Sequence, residues 1–576
     1  MTKIIRVCFF LYLTFIALIP LTTSAQTPAD IEAVQRQADI LQRQEQSRIQ
    51  RDQEDARRQS DRVEGMDTKP LVPKITLPNP DSPCRNISVI TITGGSQLSD
   101  VLRQKITDEF SSRCLNVGDI EGILTTITTY YIERGFITTR AYLPTQDLSQ
   151  GKLEIIVIEG KVGKISIEDG NNRSVSIGNV FPGVAGGLLN LRDLEQGVDQ
   201  INRLSSNNAR LDIQPGENPG ESTVLVHNQP QSRFHISASV DNQGQDSTGK
   251  VQTDVTGSVD DLLGFNDFLS MTHRESTPGD QSRQYAGSDS LSFNIPFGYT
   301  TLSLGSSRSQ YANTISLPSG LSLVSSGNSD SNNLRLDRIV YRSQATRAML
   351  ATTLTTKSSR NYLDGQYLGV SSRNLTILDL DGNLSTNLAG GVISIDLGYA
   401  QGLNTMGALQ DLDQLPDSAP RAQFGKFKYG FNSTLPFRAV SQNFAFTSQL
   451  SGQTTNHVLY GSEQFQIGGL YSVRGFVNNV LSGDDGYYWR NEISLRQAVN
   501  IGSETVSGRF YVGYDTGEVR NIAPNIPQGQ LSGMAIGISV NWRGGTWDFF
   551  NTRPLTLPGN MTKESSQTWF RVAYAL

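Results

Sequence analysis

From about Arg233 to Leu576 apolar residues recur at every second position. Phe234, Ile236, Ala238 and Val240 alternate with His235, Ser237 and Ser239. Phe427, Tyr429, Phe431 and Leu435 alternate with Lys428, Gly430, Asn432 and Thr434. Met534, Ile536, Ile538, Val540 and Trp542 alternate with Ala535, Gly537, Ser539 and Asn541. Side chains in a strand point to opposite faces in turn, so one face here is apolar and the other small and polar. Past residue 25 no stretch reaches the roughly 18 apolar residues of a membrane helix. Hydrocarbon satisfies no backbone polar group, so a chain that spans it without helices must close into a barrel. Lipid outside and water inside give this alternation. A soluble β-sandwich alternates too, but places its polar residues outside a tight apolar core. The stretch of about 345 residues, with long Ser/Gly/Asn loops such as Tyr311–Ser331, therefore predicts one large transmembrane antiparallel β-barrel over 231–576, of roughly 14–18 strands. The mean hydropathy of -0.31 fits, because only alternate residues face lipid. Phe570, Val572, Tyr574 and Leu576 share one face of a final strand that suits barrel closure.

The first 230 residues have a different texture. Residues 1–25 read as a secretory signal peptide: Lys3 and Arg6 in front of an apolar run from Val7 to Leu21, then Thr23-Ser24-Ala25 as a cleavage site. Residues 26–64 contain a helix-forming stretch, 30–63, that is polar on every side. Such a helix has no face for an ordinary core. It suits a water-filled pore or a solvated arm, and the residues leave both open. A linker with five prolines covers 65–83. Residues 84–162 read as a small α/β domain ordered β-α-α-β-β, with Asp119 as the cap of its second helix. Residues 163–230 repeat that plan more loosely, with a helix capped by Asn190. Cys8 leaves with the signal peptide. Cys84 and Cys114 remain, either bridged across about 30 residues, worth roughly 3–4 kcal/mol, or as two buried thiols.

Motifs of catalysis are weak. Gly244-Gln-Asp-Ser-Thr-Gly249-Lys250 nearly matches a phosphate loop, but Val251 follows and then strand-like alternation, so it reads as a hairpin. The four histidines are scattered, and no metal or nucleophile signature assembles. The sequence gives no basis for an enzyme, a cofactor or a metal. Acid pairs Asp260-Asp261 and Asp484-Asp485 fall in turns, where solvated carboxylates are expected. A net charge of -6 argues against nucleic acid as a partner.

The feature that needs explanation is Val473-Arg474-Gly475-Phe476, in a long polar loop around 455–486 between two strands. An arginine there is either solvated or folded back into the lumen, where it needs an acidic partner. Alternation turns two carboxylates inward: Glu492, because Ile493 and Leu495 face lipid, and Asp515, because Phe510, Val512 and Tyr514 do. Either could take the guanidinium as a forked pair.

Together these features resemble the TpsB family, the outer-membrane transporters of two-partner secretion within the POTRA-plus-barrel superfamily. Val473-Arg474-Gly475-Phe476 resembles the superfamily loop motif. The segment 483–492 that follows it also resembles its counterpart. Asp515-Thr516-Gly517 resembles the strand motif that holds the arginine. Asp241-Asn-Gln-Gly244 with Thr248-Gly249, the stretch 294–299, and Arg553-Pro554-Leu555 are similar to other barrel segments. Tyr131-Ile-Glu-Arg-Gly-Phe136, Tyr142-Leu-Pro144 and the two cysteines resemble the first POTRA domain. The resemblance implies a plug helix over 30–63, two periplasmic POTRA domains and a 16-stranded barrel in the outer membrane. It also implies export, without ATP, of a partner exoprotein of haemolysin or adhesin type through capture of its N-terminal secretion domain. Further partners would be outer-membrane lipid and the barrel-assembly machinery. A barrel-assembly insertase and a passive porin are the rival readings. An insertase usually carries more POTRA repeats, and a porin has no need of the N-terminal domains. The terminal Leu576 departs from the phenylalanine common at that position.

Overall fold

Two small α/β modules lead into the barrel. The description rests on a computed structural model, and it covers residues 48–49, 71–73, 83–169, 174–316, 322–559 and 561–576. The segment expected to be the signal peptide, the linker except residues 71–73 and 83, and all of the polar helix except Arg48 and Ile49 lie outside the described residues.

The first module contains β1 (Arg85–Ile87), β2 (Val89–Gly94), α1 (Asp100–Phe110), β3 (Arg113–Leu115), α2 (Val117–Glu133), β4 (Arg140–Tyr142) and β5 (Lys152–Ile158). Its sheet is ordered β2-β5-β4, with β2 parallel and β4 antiparallel to β5. Ile106 of α1 and Ile123, Ile127 and Tyr131 of α2 pack on Leu153 and Ile155 of β5. The cap of α2 is Asn116, not Asp119. Asn116 Oδ1 accepts from Asp119 N, and the Asp119 carboxylate accepts from Asn116 N, both at 2.9 Å. A reciprocal cap of this kind needs an acid three residues into the helix, which is the place Asp119 fills. The β1–β3 ladder was not foreseen in the β-α-α-β-β order, because three-residue strands leave no periodicity. Cys84 and Cys114 are disulfide-bonded beside it, with Cα atoms 5.3 Å apart.

The second module contains β6 (Lys161–Glu168), α3 (Ile177–Val180), α4 (Leu191–Asn202), β7 (Arg210–Pro215) and β8 (Glu221–His227), in a sheet ordered β6-β8-β7. Asn190 caps α4 through its Oδ1, 2.9 Å from Arg192 N. Leu194 and Ile201 bury against Val162, Phe181, Val224 and Val226. The modules are joined without slack. Leu191 N donates to Gly135 O at 2.8 Å. Gly135 has φ +92°, and a Cβ there would collide with Asn190 Oδ1, so glycine is required twice over.

The barrel has sixteen long strands: β9 (Phe234–Asp241), β10 (Gln252–Asp260), β11 (Phe268–Ser276), β12 (Gln284–Phe297), β13 (Thr300–Ser316), β14 (Ser322–Arg342), β15 (Thr346–Leu363), β16 (Arg373–Leu388), β17 (Gly391–Leu403), β18 (Gly425–Ala439), β19 (Gln442–Thr455), β20 (Asp485–Ile501), β21 (Glu504–Arg520), β22 (Gly529–Trp542), β23 (Gly545–Thr556) and β24 (Gln567–Ala575). All neighbours are antiparallel. β24 closes on β9, with Arg571 opposite Asp241 and Ala575 opposite Ser237. The outward faces of β20 to β22 carry Ile493, Phe510, Val512, Tyr514 and Ile536, all exposed as a lipid-facing surface must be. The stretch 311–331, read from its Ser, Gly and Asn content as a loop, is strand over 311–316 and 322–331. Small polar residues mark a lumen-facing strand as readily as a loop.

The polar side of α4 sits on the turns at the barrel's near end. Arg342 Nη2 lies 2.7 Å from Asp199 Oδ2, and Arg342 Nη1 donates to Gln196 Oε1 at 2.9 Å. Tyr299 donates to Asp193 at 2.7 Å. Asn179 donates to the carbonyls of Phe265 and Pro296. Arg203 donates to the Asn266 carbonyl at 2.8 Å. Burial lowers the Arg203 pKa to about 10, against the opposing pull of Asp260 and Asp267. The second module is thus seated under the β10–β11, β12–β13 and β14–β15 turns of the barrel.

Candidate functional site

The connection from β19 to β20, residues 456–484, turns inward from the far end of the barrel. Phe465–Ile467 and Leu481–Gly483 pair as a short hairpin. Ile467, Val473, Phe476 and Leu481 pack on the wall residues Tyr488 of β20, Val519 of β21 and Leu531 of β22. The loop therefore has an apolar underside that fits an apolar patch of the lumen, and burying it there favours the seated conformation.

Arg474 is 4 % exposed. Its Nε and Nη2 donate to Asp515 Oδ2 and Oδ1 at 2.6 and 2.9 Å, and its backbone N donates to Oδ2 at 3.0 Å. Nη1 donates to Glu492 Oε2 at 3.2 Å. The other oxygen of Glu492 accepts from Arg509. The wall is shaped to admit this side chain. Gly513 lies opposite Glu492, and Gly533 lies opposite Asp515. A Cβ on Gly513 would strike the Arg474 guanidinium, and one on Gly533 would strike the Arg474 carbonyl oxygen. Gly475 has φ +113°, and a Cβ there would stand 2.7 Å from the carbonyl carbon of Arg553. Val473, Arg474, Gly475, Phe476, Glu492 and Asp515 thus meet in one place, at a forked ion pair with few alternative geometries. Cys84 and Cys114 lie apart from it, in the first module.

Further carboxylates help to seat the loop. Asp484, buried, accepts from Leu459 N at 2.8 Å and from Ile522 N at 2.9 Å. Asp485 accepts from Thr455 N at 2.7 Å. Glu564, on the connection from β23 to β24, accepts from Val477 N at 2.9 Å and Asn479 N at 2.7 Å. At the near end, Asp260 accepts from Ser206 N and Asp261 from Asn266 N, both at 2.8 Å. The expectation of solvated acid pairs is therefore corrected. Carboxylates at strand ends satisfy backbone N–H groups of neighbouring segments. The signal that could have found them is their place at strand ends, beside chain that would otherwise lack acceptors. Gly244–Lys250, the near-match to a phosphate loop, folds on itself. Gly244 N donates to Lys250 O at 2.9 Å, and a Cβ on Gly244 would meet the Gly249 carbonyl.

Comparison with known proteins matches residues 220–540 to a family described as haemolysin secretion/activation protein ShlB/FhaC/HecB. Residues 86–160 match a POTRA domain of ShlB type, and 161–215 a POTRA domain. The chain is 33 % identical to the outer membrane transporter CdiB of Dickeya dadantii (strain 3937), over 85 % of this chain and 86 % of the relative. It is 31 % identical to the hemolysin transporter protein ShlB of Serratia marcescens, over 78 % and 79 %. The solved structure of CdiB from Escherichia coli superposes with a TM-score of 0.84 at 29 % identity, over 96 % of this chain and 99 % of that one.

Proposed function

We propose that this chain, which belongs to the ShlB/FhaC/HecB family of haemolysin secretion/activation proteins, is the outer-membrane pore through which a partner exoprotein leaves the cell by two-partner secretion. The observation that carries the reading is the loop held inside a closed barrel by Arg474, Asp515 and Glu492. A passive pore gains nothing from a lumen loop pinned by a buried forked ion pair, whereas a polypeptide channel needs a closure that can be withdrawn. The POTRA modules lie in the periplasm and the apolar outer face of the barrel meets lipid.

The passenger is an exoprotein of haemolysin or adhesin type, recognised through its unfolded N-terminal secretion domain. The route of capture is strand addition. β2 forms one edge of the first sheet, with Val89 exposed. Folding of the passenger outside supplies the driving force. Residues 30–63 form a helix in the lumen that blocks the pore at rest. Supporting this, Arg48 and Ile49 are helical and line lumen cavities, Arg48 one that Lys428 and Glu463 also line, Ile49 one that Arg335 and Asp381 also line. The cell's barrel-assembly machinery inserts the barrel itself.

The test is secretion of a large exported protein encoded beside this one, in cells with and without this chain. Appearance of the passenger outside only when the chain is present supports the reading. Equal export without it would leave insertion of other barrels, or passive permeation, as the role to examine.

A further inference from the structure

The inward loop is gripped on two sides, and only one grip involves the arginine. Glu463 lies in the single turn Gly461–Glu463, ahead of the hairpin, and is 4 % exposed. Its Oε1 accepts from Lys357 Nζ of β15 at 2.6 Å, and its Oε2 from Lys426 Nζ of β18 at 3.1 Å. The Glu463 carbonyl accepts from Lys426 Nζ at 2.8 Å and from Gln453 Nε2 of β19 at 3.0 Å. Arg474 is bound to β20 and β21. The two charged contacts therefore fasten the loop to different sectors of the wall.

The wall near Lys426 treats its cations unequally. Lys428, the next inward position of β18, has carboxylates of its own on β16: Asp379 at 2.6 Å and Asp381 at 3.1 Å. Lys357 and Lys426 receive theirs from the loop. Three lysines thus face three carboxylates while the loop is seated, and withdrawal of Glu463 leaves the cluster with one positive charge in excess. A buried ammonium that loses its counter-charge is costly. When the loop withdraws, the two ammonium groups face the lumen without that counter-charge and attract another anion. Ser462 Oγ and Gln466 Nε2, on either side of Glu463, are buried and have no hydrogen-bond partner among the described residues. Glu463 supplies the ion pairs of this limb.

We infer that Lys357 and Lys426 form a carboxylate-binding station in the pore wall, occupied in the closed state by Glu463 and taken over by acidic side chains of a polypeptide in transit. This deepens the exporter reading and rests on it for the identity of the occupant. Exchange of one carboxylate for another keeps the lysines paired throughout, so the loop can leave without stranding charge. The wall would favour passengers whose acidic residues reach the pore as the loop opens.

Planar-bilayer recording of the purified full-length protein tests the station, with heat-shifted gel migration as the check on barrel folding. Glu463→Gln should raise the open population on the order of tenfold or more, the shift expected when one state loses a buried charge contact, with the Arg474 pair intact. Polyglutamate added to this variant should block the current, and polylysine at equal concentration should not. Adding Lys357→Met and Lys426→Met should abolish the polyglutamate block. An opening frequency equal to wild type, or a block that survives loss of both lysines, overturns the proposal. If Glu463→Gln does not fold, Lys357→Met alone gives the same reading: raised opening supports the latch, and unchanged conductance overturns it. These currents need no passenger. A chain that shows the station but exports nothing would therefore sink the exporter reading and leave the station standing.

Discussion

Arg490 is the direct ladder partner of Asp515 on β20 and β21, yet Asp515 gives its oxygens to Arg474, a residue of a distant loop. Arg490 Nε stays 3.9 Å from Asp515, while its Nη1 donates to the carbonyls of Leu470 and Tyr471 at 3.3 Å. The wall arginine thus supports the loop's backbone and leaves the carboxylate to the loop's own arginine. The loop wins because it brings three donors to one carboxylate, two from the guanidinium fork and one from the backbone. Arg474→Ala should therefore lower secretion at least about tenfold, since breaking a buried pair costs about 3–5 kcal/mol. The barrel should remain in the outer membrane at normal level. Arg474→Lys should fall between, keeping the charge and losing the fork. Wild-type export by Arg474→Ala, measured beside membrane abundance, would remove the loop from the mechanism.

Gly533→Ala should behave like Arg474→Ala although it alters no charge. The added methyl would occupy the space of the Arg474 carbonyl oxygen, and overpacking of a tight contact typically costs about 1–3 kcal/mol. Gly508→Ala, on β21 with open space around it, is the control. Equal secretion by the two variants would show that the glycine floor is not what seats the loop.

Much of this site was readable from the sequence. Period-two alternation alone turned Glu492 and Asp515 inward, since the apolar neighbours that must face lipid fix the other face. What escaped were groups whose environment depends on distant pairing. Lys357 and Lys426 look like ordinary lumen cations until the fold places Glu463 between them. Asp484 and Glu564 look like solvated loop acids until the loop's backbone N–H groups turn toward them. Residues 311–331 failed for another reason: small polar residues are equally at home in a loop and on a strand facing water, so composition could not separate the two.

Removal of residues 30–63 should increase single-channel conductance several-fold and leave the sixteen strands intact. An unchanged current in the same bilayer assay would mean that this segment does not occupy the pore.

The first POTRA module should be acid-sensitive through Glu159. Burial raises the pKa of this carboxyl, but donation from Gln97 N, the Ser96 hydroxyl and Tyr131 outweighs burial and holds it below its ordinary value of 4.5. A depressed folded-state pKa adds stability that is present above about pH 4.5 and is lost as the pH falls through the folded value. Glu159→Gln should cost about 1–2 kcal/mol at neutral pH and flatten the acid response. Hydrogen exchange of β2 and α2 across pH 3–7 would read both effects. An identical acid profile in the variant would show that another group controls it.

Replacing Cys84 and Cys114 together with serine should destabilise the same module by roughly 3–4 kcal/mol, from the chain entropy released over a separation of 30 residues. Limited proteolysis should then cut within α1 or α2 while the barrel resists. Equal protection of the two proteins would argue that the module's core suffices alone.

The pairing of β24 with β9 sets the order in which the barrel can be completed. One edge of β9 is covered by its neighbour β10 within a short hairpin, but the other must wait for a strand more than 300 positions further along the chain. During that interval a row of unpaired backbone groups is open to any strand that comes near. Closing so distant a contact is slow, and an open edge invites wrong partners. A chain of a protein-secretion family thus begins its own existence as one that must itself be shielded from other polypeptides.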